Sequence, residues 1–593
     1  MKRYAIGIGL IALAVGTLQG RSVRHGLLLD DYSHRAELRE GDWSFRSLVA
    51  ASHLGGHRRR VEMWWQQDAD LYFFRPVSFL IVRVEYVLGG WRPEVMHACS
   101  LAWAVLCATL VMVLAKGATG SVRWATLAGV LFALHPANYP NAQWVACQNQ
   151  LIVTAFCLCG LVFYARDSGW APADESDRPG PSLTHRLLAL TCFVLALGCR
   201  ESGIVFGPVV VVGDWLLRPG RFKGRWATYA AIAGITVAYL VVRHVALGGF
   251  TMPGRPYFYP PGTPGFARFV VDKFIYYMLG LFLYFPIVGF SGLRFLRAHP
   301  MLFYGSFALL VLIGGLLLWW FRRRRYLLLA LAACVVPILP ALPVYAASHH
   351  VYLASVGMVI AMVGVWQALA AWGARRASVL GKTVWAVVAV LIVVHVAGFA
   401  TTAAAYDIGM AGFSAANQLP IDDVVRFGRP MKPHDRLFFI NLPLLGFNCI
   451  PAIEEATGVS PLKGYVLTFA PNLLGMTRRG YVERVGRNQL RVWLDDDGYF
   501  SELSGEKIME AAGRDRPFTV GETFSTDDFK VRVTRGSPSG IAELVFTFQR
   551  PLDDPSYHFF FGSRVWYAYP LRFERKFPST TASLREARLG LSD

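Results

Sequence analysis

The chain is 593 residues long, 54% hydrophobic and only 17% charged, and its 59 Lys and Arg against 40 acids give a formal charge of +19. A mean hydropathy of +0.38 excludes an ordinary soluble protein and reads as a polytopic membrane protein. The basic clusters punctuate apolar spans, as at Arg322–Arg325, so they read as anchors facing anionic lipid; no base-reading module points to nucleic acid.

A bilayer core takes roughly 20 apolar residues per helix. In chain order the predicted spans are Tyr4–Leu18, Val95–Ala115, Trp124–Leu134, Leu151–Ala165, Leu187–Leu197, Ile204–Leu217, Ala227–Leu247, Leu302–Trp320, Tyr326–Leu342, Val351–Ala371 and Val384–Thr401. That makes about 11 crossings. The first lacks a small-x-small cleavage site and reads as a retained anchor. The loops Lys116–Arg123, Arg166–Arg186, Arg218–Arg225, Arg322–Arg325 and Arg375–Lys382 all carry Lys or Arg, so they are expected in the cytoplasm with the N-terminus. They alternate correctly if Lys273–Phe290 does not cross and is re-entrant or surface-lying. The large first loop, 20–93, and the C-terminal part then lie outside the cell membrane. Arg58-Arg59-Arg60 in that loop runs against the charge rule, whose force weakens in a long loop.

Two units are expected: a membrane domain over 1–403 and an extracytoplasmic β-rich domain over 404–593, docked over the outer mouth. Strand patterns recur in Tyr481–Leu494 around Gly486-Arg487-Asn488, in Asp528–Gln549, and in His558–Phe573. Asp495-Asp496-Asp497 lacks the remaining ligands of an EF-hand loop and reads as a solvated turn. Nine cysteines show no metal or redox spacing, and Cys449 is alone in the polar part, which excludes a disulfide framework there. Zinc, P-loop and dinucleotide signatures are absent, so no cofactor is indicated.

Polar groups gather where the outer loops meet the spans. Asp30 and Asp31 follow the apolar run Leu27-Leu28-Leu29. Arg75 opens an apolar stretch in "FFRPVSFL", and "FALHPANYPNAQWVACQNQL" carries His135 and Gln148. Arg200-Glu201 sits where two spans meet, and His349, His350 and Tyr352 sit at another outer helix end. Ionisable groups at membrane depth are costly and usually line a cavity. Each alone has a bland explanation, as ion pair, helix cap or interhelical glue; convergence on one face is the stronger signal.

The order "DDY", "FRP", "HP…WVA…L", "RES" and "YLASVG" resembles GT-C glycosyltransferases, especially the TMTC-like group related to the protein O-mannosyltransferases, over roughly residues 1–400. The resemblance implies a GT-C-like helical bundle that moves a sugar from a polyprenyl-phosphate donor to an extracytoplasmic protein or glycan acceptor. It implies an essential acid in the first outer loop, with Asp30 the first candidate and Asp31 its neighbour. The chemistry fits, because a phosphate is already a good leaving group. No second carboxylic acid is needed to protonate it, unlike a glycosidase pair. One carboxylate accepts the acceptor's proton in a single inverting displacement. The other acid either orients a neighbour or binds a divalent metal. Arg75 and Arg200, with His349, are the candidates to hold the phosphate.

The chain departs from the group's pattern. It has Asn138 and Pro140 after "HP", Gln148-Asn149-Gln150 after "WVA", and Ser348-His349-His350 where the group carries a charged run before its tyrosine. His349 in place of Arg holds full charge only at lower pH. Two other classes stay open. A transporter or flippase of lipid-linked sugars would show internal repeats and polar groups near mid-membrane. A catalytically silent scaffold would keep the fold and bind without turnover.

Overall fold

The computed structural model describes residues 2–52, 61–66, 72–170, 182–249, 258–283, 289–375, 379–472, 475–476, 479–494, 498–501 and 517–573. The aspartates 495–497 lie outside this set, as do the arginines 58–60.

Each of the eleven apolar runs lies on a helix. Seven helical stretches are long and apolar enough to cross a membrane among the described residues: Lys2–Arg24, Pro93–Thr119, Val145–Ser168, Pro219–Leu247, Pro300–Phe321, Ser348–Ala374 and Val379–Phe427. Val122–Leu134, Leu183–Cys199 and Arg325–Ala341 are shorter and apolar. The chain is a multi-pass membrane protein, mainly helical, with a sheet-containing C-terminal part. Val145–Ser168 and Ser348–Ala374 are each 72% buried and form the bundle's centre, whereas Pro300–Phe321, 6% buried, turns almost its whole surface outward. Such a naked apolar helix belongs against lipid. Close packing at the centre uses small residues: a Cβ at Gly357 would come within 2.3 Å of the Cys334 backbone nitrogen, so glycine lets helix Tyr352–Ala374 approach helix Arg325–Val335.

The basic loops gather at one end. Arg186 and Arg225 both reach Asp167, Arg218 donates to the Gly169 carbonyl, and Gln367 donates to Thr119 O at 2.8 Å. Helices Tyr352–Ala374 and Phe206–Leu217 run from this end to the polar segments at His349 and Arg200. The segment predicted to be re-entrant or surface-lying is helical over Phe266–Phe282 and Gly289–Ala298. Lys273 within it is fully buried, its ammonium donating to the carbonyls of Ala341, Val344 and Tyr345.

The expected boundary at 403/404 is not a break. Helix Val379–Phe427 continues through it, changing only its surroundings as apolar residues give way to polar ones. Beyond it lie two five-stranded sheets. In chain order the strands are β1 (Glu62–Met63), β2 (Arg436–Ile440), β3 (Lys463–Val466), β4 (Gly480–Gly486), β5 (Gln489–Leu494), β6 (Thr523–Ser525), β7 (Phe529–Ser537), β8 (Gly540–Phe548), β9 (Tyr557–Phe561) and β10 (Tyr569–Leu571). One sheet has the order β4-β5-β8-β7-β6, wholly antiparallel, and includes both predicted hairpins. The other, β1-β3-β2-β9-β10, is mixed. In it β2 pairs in parallel with β3, after the crossover helix Ile450–Thr457, and in parallel with β9. Its outermost strand, β1, comes from the first loop. Phe438 joins the two sheets: its ring stacks on Tyr465 and Phe559 at 5.4 and 4.9 Å and meets Phe548 edge-on at 5.0 Å.

Candidate functional site

Helix Asp30–Glu40 opens on the two aspartates, and the turn before it is unusual. Leu29 has φ 47° and ψ −119°, a conformation that an L residue with a branched side chain adopts only when its neighbours enforce it. Enforcement is visible. Asn417 Oδ1 accepts from Leu29 N at 2.8 Å, and Trp144 Nε1 donates to Leu28 O at 3.2 Å.

The two acids have opposite surroundings. Asp31 is buried and its carboxylate is consumed by backbone: Leu28 N donates to Oδ2 at 2.9 Å and Ala146 N to Oδ1 at 2.6 Å. Burial outweighs these bonds and pushes its pKa well above the usual carboxylate range, with the Asp30 charge adding to the rise. Asp30 is only partly buried, and among the described residues no side chain hydrogen-bonds its carboxylate. Burial pushes it up to about 6, opposed by its own backbone N–H and by the positive charge of Arg75. It is the available member of the pair.

The cations stand opposite. Arg75 precedes helix Pro76–Leu88, lies over the Phe73 ring at 4.1 Å, and pairs with Glu201 at 3.3 Å. Ser78 Oγ donates to Cys199 O at 3.1 Å, tying that helix to the Arg200 segment. The buried Arg200 donates to Asn149 Oδ1. Burial would raise the Glu201 carboxyl, but the nearby Arg75 and Arg200 charges hold it below the usual range. His349 is buried, with Nδ1 at 4.0 Å from the Cys147 sulfur and Nε2 at 3.3 Å from the Tyr345 hydroxyl, in the field of Arg200, Arg75 and Lys273. His350 meets His349 edge-on at 4.3 Å and Tyr277 Oη at 2.9 Å. Among the described residues Arg75 Nε and Glu201 Oε1 are buried with no hydrogen-bond partner, and such orphans mark a place where a ligand's polar atoms would be satisfied.

The structure therefore gathers Asp30, Asp31, Arg75, Arg200, Glu201, His349 and His350. It packs three other predicted residues into the bundle. Both His135 nitrogens are engaged, by Leu281 O and Ala137 N at 3.2 Å each. Gln148 donates to Glu85 at 2.6 Å, and Tyr352 is buried against Phe132 at 5.2 Å. Their polarity serves interhelical bonding. Sequence reading named Asn149 only within a polar run, and it missed Asn417 as a partner of this cluster and Lys273 as the donor to the carbonyls just before His349. Among the described residues no group of three or more His, Cys, Asp or Glu side chains is placed to hold a metal ion.

No family model matches the chain. Among curated proteins it is similar to human protein O-mannosyl-transferase TMTC3, 24% identical over 149 residues, and to the mouse protein of that name, 22% identical over 149 residues. Each match covers 25% of this chain and spans only 15% of the relative's length. Among solved structures it is similar to ArnT from Cupriavidus metallidurans bound to undecaprenyl phosphate, at 14% identity, 78% and 85% coverage of the two chains and a TM-score of 0.38. It is also similar to an Archaeoglobus fulgidus oligosaccharyltransferase tethered to an acceptor peptide, at 13% identity, 77% and 63% coverage and a TM-score of 0.39. The resemblance to the TMTC-like group that the ordered motifs carry is borne out by the curated relatives.

Proposed function

We propose that this chain is an inverting membrane glycosyltransferase that transfers a sugar from a polyprenyl-phosphate donor to an extracytoplasmic protein or glycan hydroxyl. One observation supports the reading above the others: of two adjacent acids, Asp31 is spent on backbone N–H groups while Asp30 stays open in the field of Arg75. Asp30 takes the proton of the acceptor hydroxyl as its oxygen attacks the anomeric carbon, and the carbon–phosphate oxygen bond breaks. The lipid phosphate leaves as an anion. Arg75 and Arg200 stabilise its growing charge, as forked permanent cations suit a phosphoryl group. Glu201 holds Arg75 in place. His349 bonds the donor through a ring nitrogen. TMTC3 is by name a protein O-mannosyl-transferase, which makes a mannosyl donor and a protein acceptor the first pair to assay.

The test uses full-length protein in proteoliposomes with polyprenyl-phosphate sugars. Asp30→Asn removes the base without changing shape, and transfer should fall by roughly a hundred- to ten-thousandfold while membrane insertion is unaffected. Wild-type turnover in that variant would overturn the assignment.

A further inference from the structure

We propose that the end of the bundle opposite Asp30 carries a binding site for the phosphate of an anionic phospholipid. A cavity of about 380 Å³ opens there, lined by Arg218, Arg323, Arg324 and Arg325, and no carboxylate is among its lining residues. On the central helix its lining residues Ile360, Gly364 and Gln367 lie about 12–22 Å from Tyr352, which opens that helix at the end nearer His349.

Four guanidinium groups around one cavity repel one another unless an anion sits among them. Among the described residues, the acids at this end are already taken. Asp167 is taken by Arg186 and Arg225, and Asp214 by the hydroxyls of Tyr164 and Tyr229 and the indole of Trp170 at 2.7 Å. Two of the four arginines are fixed in advance: Arg218 Nε donates to Gly169 O at 2.8 Å and Arg325 to Leu216 O at 3.3 Å. Arg323 and Arg324 form no ion pair among the described residues and are exposed. Two cations bonded to backbone carbonyls and two exposed ones suit an anion that arrives from outside.

The remaining lining points to a lipid and not to free phosphate. The wall below the arginines is apolar, from Leu217, Leu327 and Ile360. Trp215, Trp226, Trp319 and Trp320 are all more than half exposed around this end, and exposed tryptophans mark the depth of lipid headgroups. Trp319 and Trp320 close the outward-facing helix Pro300–Phe321, along which acyl chains would run. A phosphodiester among the guanidiniums with its chains on that wall satisfies both halves of the site.

The experiment titrates the full-length protein in detergent with dioleoyl phosphatidylglycerol, dioleoyl phosphatidylcholine or inorganic phosphate, read by native mass spectrometry and thermal melting. Phosphatidylglycerol should be retained and should raise Tm, with phosphatidylcholine and phosphate far weaker. Arg323→Ala with Arg324→Ala should lower phosphatidylglycerol affinity about tenfold or more, whereas Arg322→Ala, outside the cavity, should leave it unchanged. Equal binding of the two lipids by the wild type overturns the proposal, and that comparison stands even if the double variant does not fold. Phosphate binding as tightly as phosphatidylglycerol overturns the lipid assignment, and an unaffected double variant overturns the location.

Discussion

Asp30 and Asp31 differ by one position and by everything around them. Asp31 accepts two backbone N–H groups from separate segments, so it fixes the geometry of the loop on the helix junction. Asp30 carries a raised pKa of about 6 against an ordinary 3.8, caused mainly by burial. Two outcomes follow with opposite sign. As a base, Asp30 works only when ionised, so transfer should decline as pH falls through about 6, and a pH–rate profile of kcat/KM would show an acid limb there. As a stability element, the folded state holds this proton more tightly than the unfolded chain. Ionisation is therefore a penalty that is absent below about pH 4, grows towards pH 6 and is complete above it. Asp30→Asn should raise Tm at pH 8 relative to wild type and lose that advantage at pH 4. A Tm difference independent of pH would contradict the raised pKa. The pair was legible in the sequence because two acids after an apolar run are costly. Which acid is free was not, because that depends on Ala146, which lies in another segment.

At the scale of elements, the segment that presents Asp30 is held from a distance. Asn417 on helix Val379–Phe427 accepts from Leu29, Gln418 accepts from the Tyr32 hydroxyl at 2.7 Å, and Glu455 on helix Ile450–Thr457 pairs with Arg35 and Arg39 at 2.9 Å each. The two Glu455 pairs are partly exposed and contribute little. The Asn417 bond matters more, since it holds a residue in a strained conformation. Asn417→Ala should cost about 1–2 kcal/mol of stability and lower kcat more than it raises KM, because the base is displaced while the cation side is untouched. An effect on Tm alone, with kcat intact, would reduce Asn417 to a structural role. The spans and hairpins were readable because their periodicity is local. Strands β2 and β3 were not, since their fully buried runs carry no alternation and their parallel pairing is set by distant partners.

For the whole molecule, polarity is sorted by end. Acids and cations that suit the proposed transfer chemistry lie at one end, a cluster of arginines at the other, and the central helices between are largely apolar. A transport path would place its polar groups midway. The sheet-containing part is held to the first loop by Trp64, whose indole donates to Leu467 O at 2.9 Å and whose ring meets Phe500, Phe518, Phe524 and Phe546. Trp64→Ala should destabilise the two sheets by about 3–5 kcal/mol and make the C-terminal part sensitive to protease at temperatures the wild type survives. Equal resistance would show that loop and sheets are independent.

Strand β1 has a consequence for how the protein comes into being. Glu62 and Met63 are made early and their partners in β3 late, with most of the bundle synthesised between them. The acidic pair is likewise made long before Asn417, which braces its turn. If Asp30 is the proposed base, transfer should appear only in chains that extend past Val466 and so complete this pairing.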